Sequence, residues 1–452
     1  MTHDARYWLP ELETKPWTEV ERWQAPRIEG FVRHLPERSP MYATLLEGKP
    51  AQVRDFAALA DLPFTTKADV RAAQDTTSAE APFGRNQGVA TRDIVQTLSS
   101  SGTTGRPMYY ALTAADVDRW SNAIAQAWYT AGLRADDLVG HLVALPGVAG
   151  GLPYADGFRR VGATLCWLGG FPTERILREL RNLRVSALLA TTSFGTYLAE
   201  QWAALDASTG MPSSLSKVLC GGEPGLNQPE IRAKIRNGLG IAALREVMGL
   251  GDVLSCLWSE CEAEDGMHFN AQASVAVELI DPETGARVPW TDGAKGELVY
   301  TTFERDATPM LRYRSRDHAH VTGTSCACGR TSPRIRCIGR TDDMLIYKGM
   351  NLFPTAVRDL VAQRFAGQVE PLIRIWKERA DQVRFDDAVA VDVEASASTS
   401  AADYPRLAES IATVVRTELQ VRIAPTVVAP GTLPRGTYKT SLVAVREAGK
   451  AP

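Results

Sequence analysis

Long apolar stretches are missing: nowhere in the 452 residues do eighteen apolar residues run uninterrupted, which excludes an ordinary membrane-spanning helix. The opening thirty residues, MTHDARYWLPELETKPWTEVERWQAPRIEG, have neither a basic start nor an apolar centre. No export signal is expected there, so the predicted address is cytoplasmic, with no membrane partner. Excess charge of one sign is missing as well. The 50 basic residues stand against 53 acidic ones, for a formal net charge of -3, and no dense Lys/Arg run could follow a phosphate backbone. Nucleic acid is therefore not an expected partner. Cysteine is scarce and odd in number, seven residues in all, which argues against a disulfide framework and for reduced thiols or a metal.

What is present is ordinary for a folded, soluble chain: 44% hydrophobic and 23% charged residues, close to the globular average. The length is too great for one compact core and suits two or three packed units. Helical spacing with Pro-punctuated turns dominates the first hundred residues, as in VRDFAALADLPFTTKADVRAA. From about 110 to 250, helical stretches (114–132, 173–184) alternate with the short apolar runs HLVALPG, TLCWLGG, SALLATTS and KVLCGGE. That alternation predicts βαβ units and a parallel sheet, hence an α/β fold. SVAVELIDPETGARV and KGELVYTTF read as β-hairpins of a β-rich subdomain over about 265–339. Beyond 340 come a short strand, a helix at PTAVRDLVAQRF, strands near 370–376 and 387–394, a helix near 404–419 and a strand near 425–429. These predict a separate small α+β domain over 343–452, joined at 340–342 to a large domain spanning 1–339. The Ala/Ser/Thr-rich run 395–403 reads as a surface loop.

The strongest motif is SSSGTTGRP at 99–107, after the apolar DIVQTL. Its glycines let backbone N–H groups approach phosphate oxygens, and the hydroxyls add donors around the same charge. The spacing is not that of a Walker A loop, and a polar hairpin is the plain alternative. This loop resembles the phosphate-binding loop of adenylate-forming enzymes, the acyl-CoA synthetase and luciferase superfamily. LPFTTKADVR, the 99–107 loop, CGGEP at 220–224, YRSRD at 313–317, GRTDDMLIYKGMNLFP at 339–354 and LPRGTYK at 433–439 occur in the order of its phenylacetate-CoA ligase branch.

The resemblance implies a large adenylation domain followed by a small mobile one. It implies nucleotide contacts from Ser99, Ser100, Ser101, Gly102, Thr103, Thr104 and Gly105, from Gly222, Glu223 and Pro224 against the adenine, and from Met248 and Gly249. A Gly-rich turn after a strand is the plain alternative for CGGEP. Asp317 would accept from both ribose hydroxyls, a duty suited to a carboxylate. Arg340 would contact the nucleotide and Asp342 would be the pivot of a hinge, where the residues alone read as a polar linker. Lys439 would neutralise charge as a carboxylate attacks the α-phosphorus and pyrophosphate leaves. Three positions depart from the branch: Tyr438 replaces a Gly, Met248 an aromatic ring, and Asp252 the Glu that binds Mg²⁺. Asp252 is shorter by one bond, about 1.5 Å.

Cys261, His268, Cys326 and Cys328 place four borderline ligands around two tight turns that flank the β-rich segment. Such a set suits a closed, structural tetrahedral Zn²⁺, and similar knuckles in the branch support it. Unliganded core thiols are the alternative. Cys256 is a spare candidate ligand, while Cys166, Cys220 and Cys337 read as core residues.

The chain therefore reads as an ATP- and Mg²⁺-dependent ligase that converts a small, aromatic acid into an acyl-AMP and passes it to coenzyme A. The acid slot is expected at the turns 145–156 and 191–197. Other acceptors stay open (an amine, a carrier-protein thiol, or nitrite in aryl-amine diazotisation), as does a non-catalytic nucleotide-binding role. A homodimer is compatible with this reading.

Overall fold

The computed structural model describes residues 6–49, 52–100, 108–143, 147–209, 213–223, 225–340, 345–348, 350–379, 382–434 and 441–446. Contacts divide the chain into two units. The first comprises residues 1–190, 205–222 and 240–336, and the second 191–204, 223–239 and 337–452. The division thus passes after Arg336, and the C-terminal residues are gathered with two earlier segments.

An eleven-stranded mixed sheet dominates the first unit, in the order Ala276–Ile280, Lys295–Thr301, Tyr313–Gly323, Arg334–Arg340, Met267–Phe269, Leu254–Glu260, Ala243–Leu250, Lys217–Gly221, Ala187–Thr191, Leu138–His141, Thr164–Trp167. Lys217–Gly221 lies parallel to Ala243–Leu250, and Leu138–His141 lies parallel to both of its neighbours. These strands read as unbroken apolar runs because both faces are covered, as in the ALLAT of Ala187–Thr191. From Leu254 onward the pairing turns antiparallel, where hairpin turns such as DPETGA replace crossover helices.

The helices that cover the sheet begin and end where the sequence provides caps. Thr113 Oγ1 accepts from the Asp116 amide and the Asp116 carboxylate accepts from the Thr113 amide, a reciprocal cap on Ala114–Thr130. Helix Leu152–Val161 stops at Gly162, whose φ of 92° is the left-handed cap that glycine tolerates. The two helices pack closely: Trp128 stacks on Phe158 with centroids 5.0 Å apart. A Cβ on Gly157 would sit 2.4 Å from Ile124 Cγ2, so glycine is required at that crossing.

In the second unit a four-stranded sheet runs Ile423–Val428, Val389–Ala395, Val369–Lys377, Val443–Val445. Helices Pro354–Arg364 and Tyr404–Leu419 bury Val357, Val361, Ile411 and Val415 with Ile373, Val391 and Val393 of the sheet. A smaller three-stranded sheet joins Met350–Leu352, Leu345–Tyr347 and Arg384–Phe385.

One buried ion pair locks the β-rich part of the first unit. Arg312 donates Nε and Nη2 to Glu278 at 3.0 and 2.9 Å, and Nη1 to Leu62 O at 2.7 Å. Both side chains are almost fully buried. Removing one partner leaves an uncompensated charge in a low-dielectric core. Glu278→Ala should therefore lower unfolding stability by about 3–5 kcal/mol, read from urea titration of the tryptophan fluorescence; a midpoint unchanged from the parent would contradict it.

Candidate functional site

In a parallel sheet the loops at the carboxyl ends of the strands form a crevice where the strand order reverses. Here the reversal falls between Leu138–His141 and Ala187–Thr191: from the first the chain moves to the edge strand Thr164–Trp167, from the second inward to Lys217–Gly221 and Ala243–Leu250. The expected acid-slot segments follow these two strands, with two corrections. Residues 191–197 are not an open turn, because Thr191 ends the strand and helix Thr192–Thr209 begins at once. Likewise 152–156 belong to helix Leu152–Val161.

The first two residues of the hydroxyl-rich motif end a hairpin strand, Ile94–Ser100, paired with Met108–Thr113 so that Ser100 faces Met108. The pairing brackets 101–107; Ser101, Gly102, Thr103, Thr104 and Gly105 lie outside the described residues. Ser99 bridges to the turn after Leu138–His141, its N–H donating to Gly147 O at 2.9 Å.

The glycines of CGG and MG answer steric demands. A Cβ at Gly221 would meet Val247 O at 2.4 Å, Gly222 has φ of 82°, and a Cβ at Gly249 would meet Ser255 O at 2.1 Å. The register shift between Met248 and Leu250 explains the last contact. Met248 is half-buried and packs on the main core. Glu223 accepts from the Ser193 amide at 2.6 Å in the first turn of helix Thr192–Thr209, satisfying a helix-terminal donor. Pro224 lies outside the described residues.

Asp252 is buried, and its surroundings were not foreseen. Tyr313 Oη donates to Asp252 Oδ2 at 2.8 Å, while Oδ1 is buried without a hydrogen-bond partner among the described residues. Tyr110 faces the same carboxylate, and its hydroxyl is pushed well up by burial and then by the Asp252 charge. Arg305, wholly buried, donates to Asp252 O at 2.7 Å and to Thr308 Oγ1 at 2.6 Å. Burial pulls this guanidinium down to about 10, still cationic at neutral pH. A buried carboxylate oxygen of this kind would suit a hard cation such as Mg²⁺. No local spacing rule links residues 110, 252, 305 and 313, so no pattern along the chain signals the group.

Within YRSRD most side chains serve the sheet. Arg314 grips the buried Glu297 through two bonds of 3.0 and 2.6 Å, Ser315 Oγ donates to Leu298 O at 2.8 Å, and Arg316 takes a left-handed φ of 66°. Asp317 follows that twist, half-buried, its N–H donating to Ser315 Oγ at 3.0 Å. In the second unit Arg340 ends strand Arg334–Arg340. Just before it, Thr355 Oγ1 donates to Ile338 O at 2.7 Å, fixing the segment to the start of helix Pro354–Arg364. Asp342, Tyr438 and Lys439 lie outside the described residues.

The four expected metal ligands do converge: the donor atoms of Cys261, His268, Cys326 and Cys328 all lie within 4.8 Å of one another. Cys261 Sγ is 3.7 Å from Cys326 Sγ, and Cys328 Sγ is 3.4 Å from His268 Nε2. The amides of Ala263 and Arg330 donate to Cys261 and Cys328 Sγ, each at 3.4 Å, which favours thiolates. His268 Nδ1 lies 3.3 Å from Ser332 O, an outer partner that leaves Nε2 to face the sulfurs. This donor set fits Zn²⁺. Cys256 is elsewhere, buried with Sγ toward Trp258 O, so it is not a ligand candidate; Cys166 and Cys337 are only partly buried, against the expectation of core residues.

A large α/β sheet with glycine-containing turns after its parallel strands, followed by a small α+β part, is the architecture of adenylate-forming enzymes. The AMP-binding enzyme family matches residues 37–302, and its C-terminal domain matches 349–445. The chain is similar to a phenylacetate-coenzyme A ligase of Thermus thermophilus, 30% identical over 94% of this chain and 96% of that one. One of Pseudomonas putida is 31% identical over 97% of each. Among solved structures, 2-hydroxyisobutyryl-CoA ligase in its postadenylation state, bound to 2-HIB-AMP, superposes with a TM-score of 0.86 at 27% identity, covering 99% of this chain and 94% of that one. The chain belongs to the AMP-binding enzyme family, in its phenylacetate-CoA ligase-like branch. It is an AMP-forming ligase.

Tyr313→Phe removes the hydroxyl that donates to Asp252 Oδ2. It should cost about 1–3 kcal/mol, measured by urea unfolding; undiminished stability would mean that the carboxylate does not depend on this hydroxyl.

Proposed function

We propose that the ligase activates a small carboxylic acid, with aromatic acids as the first class, and transfers the acyl group to coenzyme A. The observation that carries this reading is the bond from Ser99 N–H to Gly147 O. It joins the root of the phosphate motif to the turn expected to hold the acid, and adenylation needs a carboxylate beside an α-phosphate. The acid's oxygen attacks the α-phosphorus and the bond to the bridging oxygen breaks, giving acyl-AMP and pyrophosphate. The thiolate of coenzyme A then adds to the acyl carbon, and AMP leaves with the electron pair.

In this reading residues 99–105 cradle the phosphates, Glu223, Pro224, Met248 and Gly249 border the nucleotide, and Asp317 accepts from the ribose. Lys439 would neutralise charge as pyrophosphate departs, and Arg340 and Asp342 form the hinge between domains 1–339 and 343–452. Asp252 Oδ1 would hold Mg²⁺, which neutralises phosphate charge when bound. A second acid class rests on the 2-hydroxyisobutyryl-CoA ligase likeness: small branched hydroxy acids. Both classes belong in a pyrophosphate-release panel run with and without coenzyme A, with products identified by mass spectrometry. Formation of acyl-CoA and AMP is expected; ATP consumption without acyl-CoA would discard coenzyme A as acceptor. Lys439→Ala should cut adenylation by about 100-fold or more while thioester formation from supplied acyl-AMP persists, and equal loss of both steps would refute the role.

We further propose that Cys261, His268, Cys326 and Cys328 hold one structural Zn²⁺, all four positions being filled by protein so that none is open to substrate. Elemental analysis of unchelated protein should give one zinc per chain, falling in Cys328→Ser together with the melting temperature. A content near zero in the parent protein would end this assignment.

A further inference from the structure

His141 is a buried imidazole at the end of strand Leu138–His141, at the point where the strand order reverses. Both ring nitrogens have partners in the turn that follows. Val143 N–H donates to Nδ1 at 3.2 Å, and Nε2 lies 3.1 Å from Gly151 O. An acceptor at Nδ1 requires the proton on Nε2, so the neutral ring accepts from one side of the turn and donates to the other. Burial supports this state, pulling the imidazole down to about 4.

The ring cannot easily rotate away. It stacks on Trp167 with centroids 4.7 Å apart and planes 12° apart, and meets the edge of Phe158 at 5.8 Å. Trp167 Nε1 donates to Val143 O at 3.1 Å, and the amides of Leu168 and Gly169 both donate to His141 O at 2.9 Å. One side of the turn is thus clamped to 167–169, and the imidazole ties the other side to it. From Gly151 the connection continues: its N–H donates to Val148 O at 2.9 Å, and Ser99 N–H reaches Gly147 O at 2.9 Å.

We propose that His141 is a positioning residue for adenylation, tying Val143 to Gly151 across the acid-slot turn and so setting that turn against Ser99 at the root of the phosphate motif. The inference rests on the acid-slot reading above. It goes beyond it in assigning the alignment of acid and phosphate sites to a side chain that touches neither substrate.

The test compares His141→Phe, which keeps the stacked ring and loses both polar ties, with His141→Gln, whose amide can donate toward Gly151. In the Phe variant kcat/KM for the acid should fall about tenfold or more, while KM for ATP stays within about twofold and Gln restores part of the loss. Amide exchange by mass spectrometry should show faster exchange in 94–100 and 147–152, and not across the distant strands Ala276–Ile280 and Lys295–Thr301. Undiminished acid kcat/KM, or equal rises of both KM values, overturns the proposal, as does unchanged exchange in those peptides. If His141→Phe fails to fold, His141→Asn replaces it, being too short to reach Gly151, and equal exchange in the Asn and Gln variants overturns the tie. Should the parent enzyme release no pyrophosphate with any acid, the acid-slot reading fails, and the exchange data still decide whether His141 holds the turn to Ser99.

Discussion

The constraint on which the rest depends is the reversal of strand order between Leu138–His141 and Ala187–Thr191. Parallel neighbours demand crossover helices, and where the order reverses the crossovers leave on opposite faces of the sheet. His141, the Ser99–Gly147 bond and the close approach of Gly221 to Val247 all lie along this edge. Each supplies order that the sheet hydrogen bonds no longer provide beyond the strand ends.

Around this edge, buried charge is balanced group by group. Asp116 caps its own helix and also accepts from the amides of Asp306 and Ala307 at 2.7 and 3.0 Å. That fixes the loop from which Arg305 reaches Asp252. Arg312 with Glu278 and Arg314 with Glu297 tie the start of the strand at Tyr313 to the two strands on one side of it, which in turn aims the Tyr313 hydroxyl at Asp252. Desolvated ions are tolerated only with such partners. Asp252 Oδ1 is the exception in this group, buried with no hydrogen-bond partner among the described residues.

Much of the fold was legible because its signals are local. Apolar runs of four or five residues flanked by glycine marked the parallel strands, and Thr113 with Asp116 marked a helix start. Cys326 and Cys328 are two residues apart and imply a tight turn. What stayed hidden were encounters between distant residues: Tyr313 and Arg305 with Asp252, and His141 with Gly151 across a turn. Nothing in HLVALPG distinguishes a buried imidazole that bridges backbone from one that merely fills space. The error at 191–197 has the same origin, since TTSFGTY carries turn-forming residues, yet Thr191 ends a strand and the Glu223 carboxylate, thirty residues on, caps the helix that starts there. Tertiary capping overrode local composition.

The Cys/His cluster shows how few groups can organise many segments. Cys328 O accepts from Tyr7 Oη at 3.0 Å, and Gly329 at φ of 85° leaves no room for a Cβ against that hydroxyl. The neighbouring Arg330 forms a buried pair with Glu13 at 2.8 Å and donates to Arg6 O at 2.9 Å, and Thr331 N–H donates to Glu13 O at 2.9 Å. The segment from Arg6 to Lys15 is thus tied to 328–331 by polar contacts, and Trp8 adds a bond to Asn122 and a ring contact with Tyr129; helix Pro10–Glu13 is one turn long and cannot be stable alone. Those contacts need the 326–330 turn in one conformation, and the convergence of Cys326 and Cys328 on Cys261 and His268 supplies it. The order of the N-terminal segment therefore draws in part on a turn more than three hundred residues away.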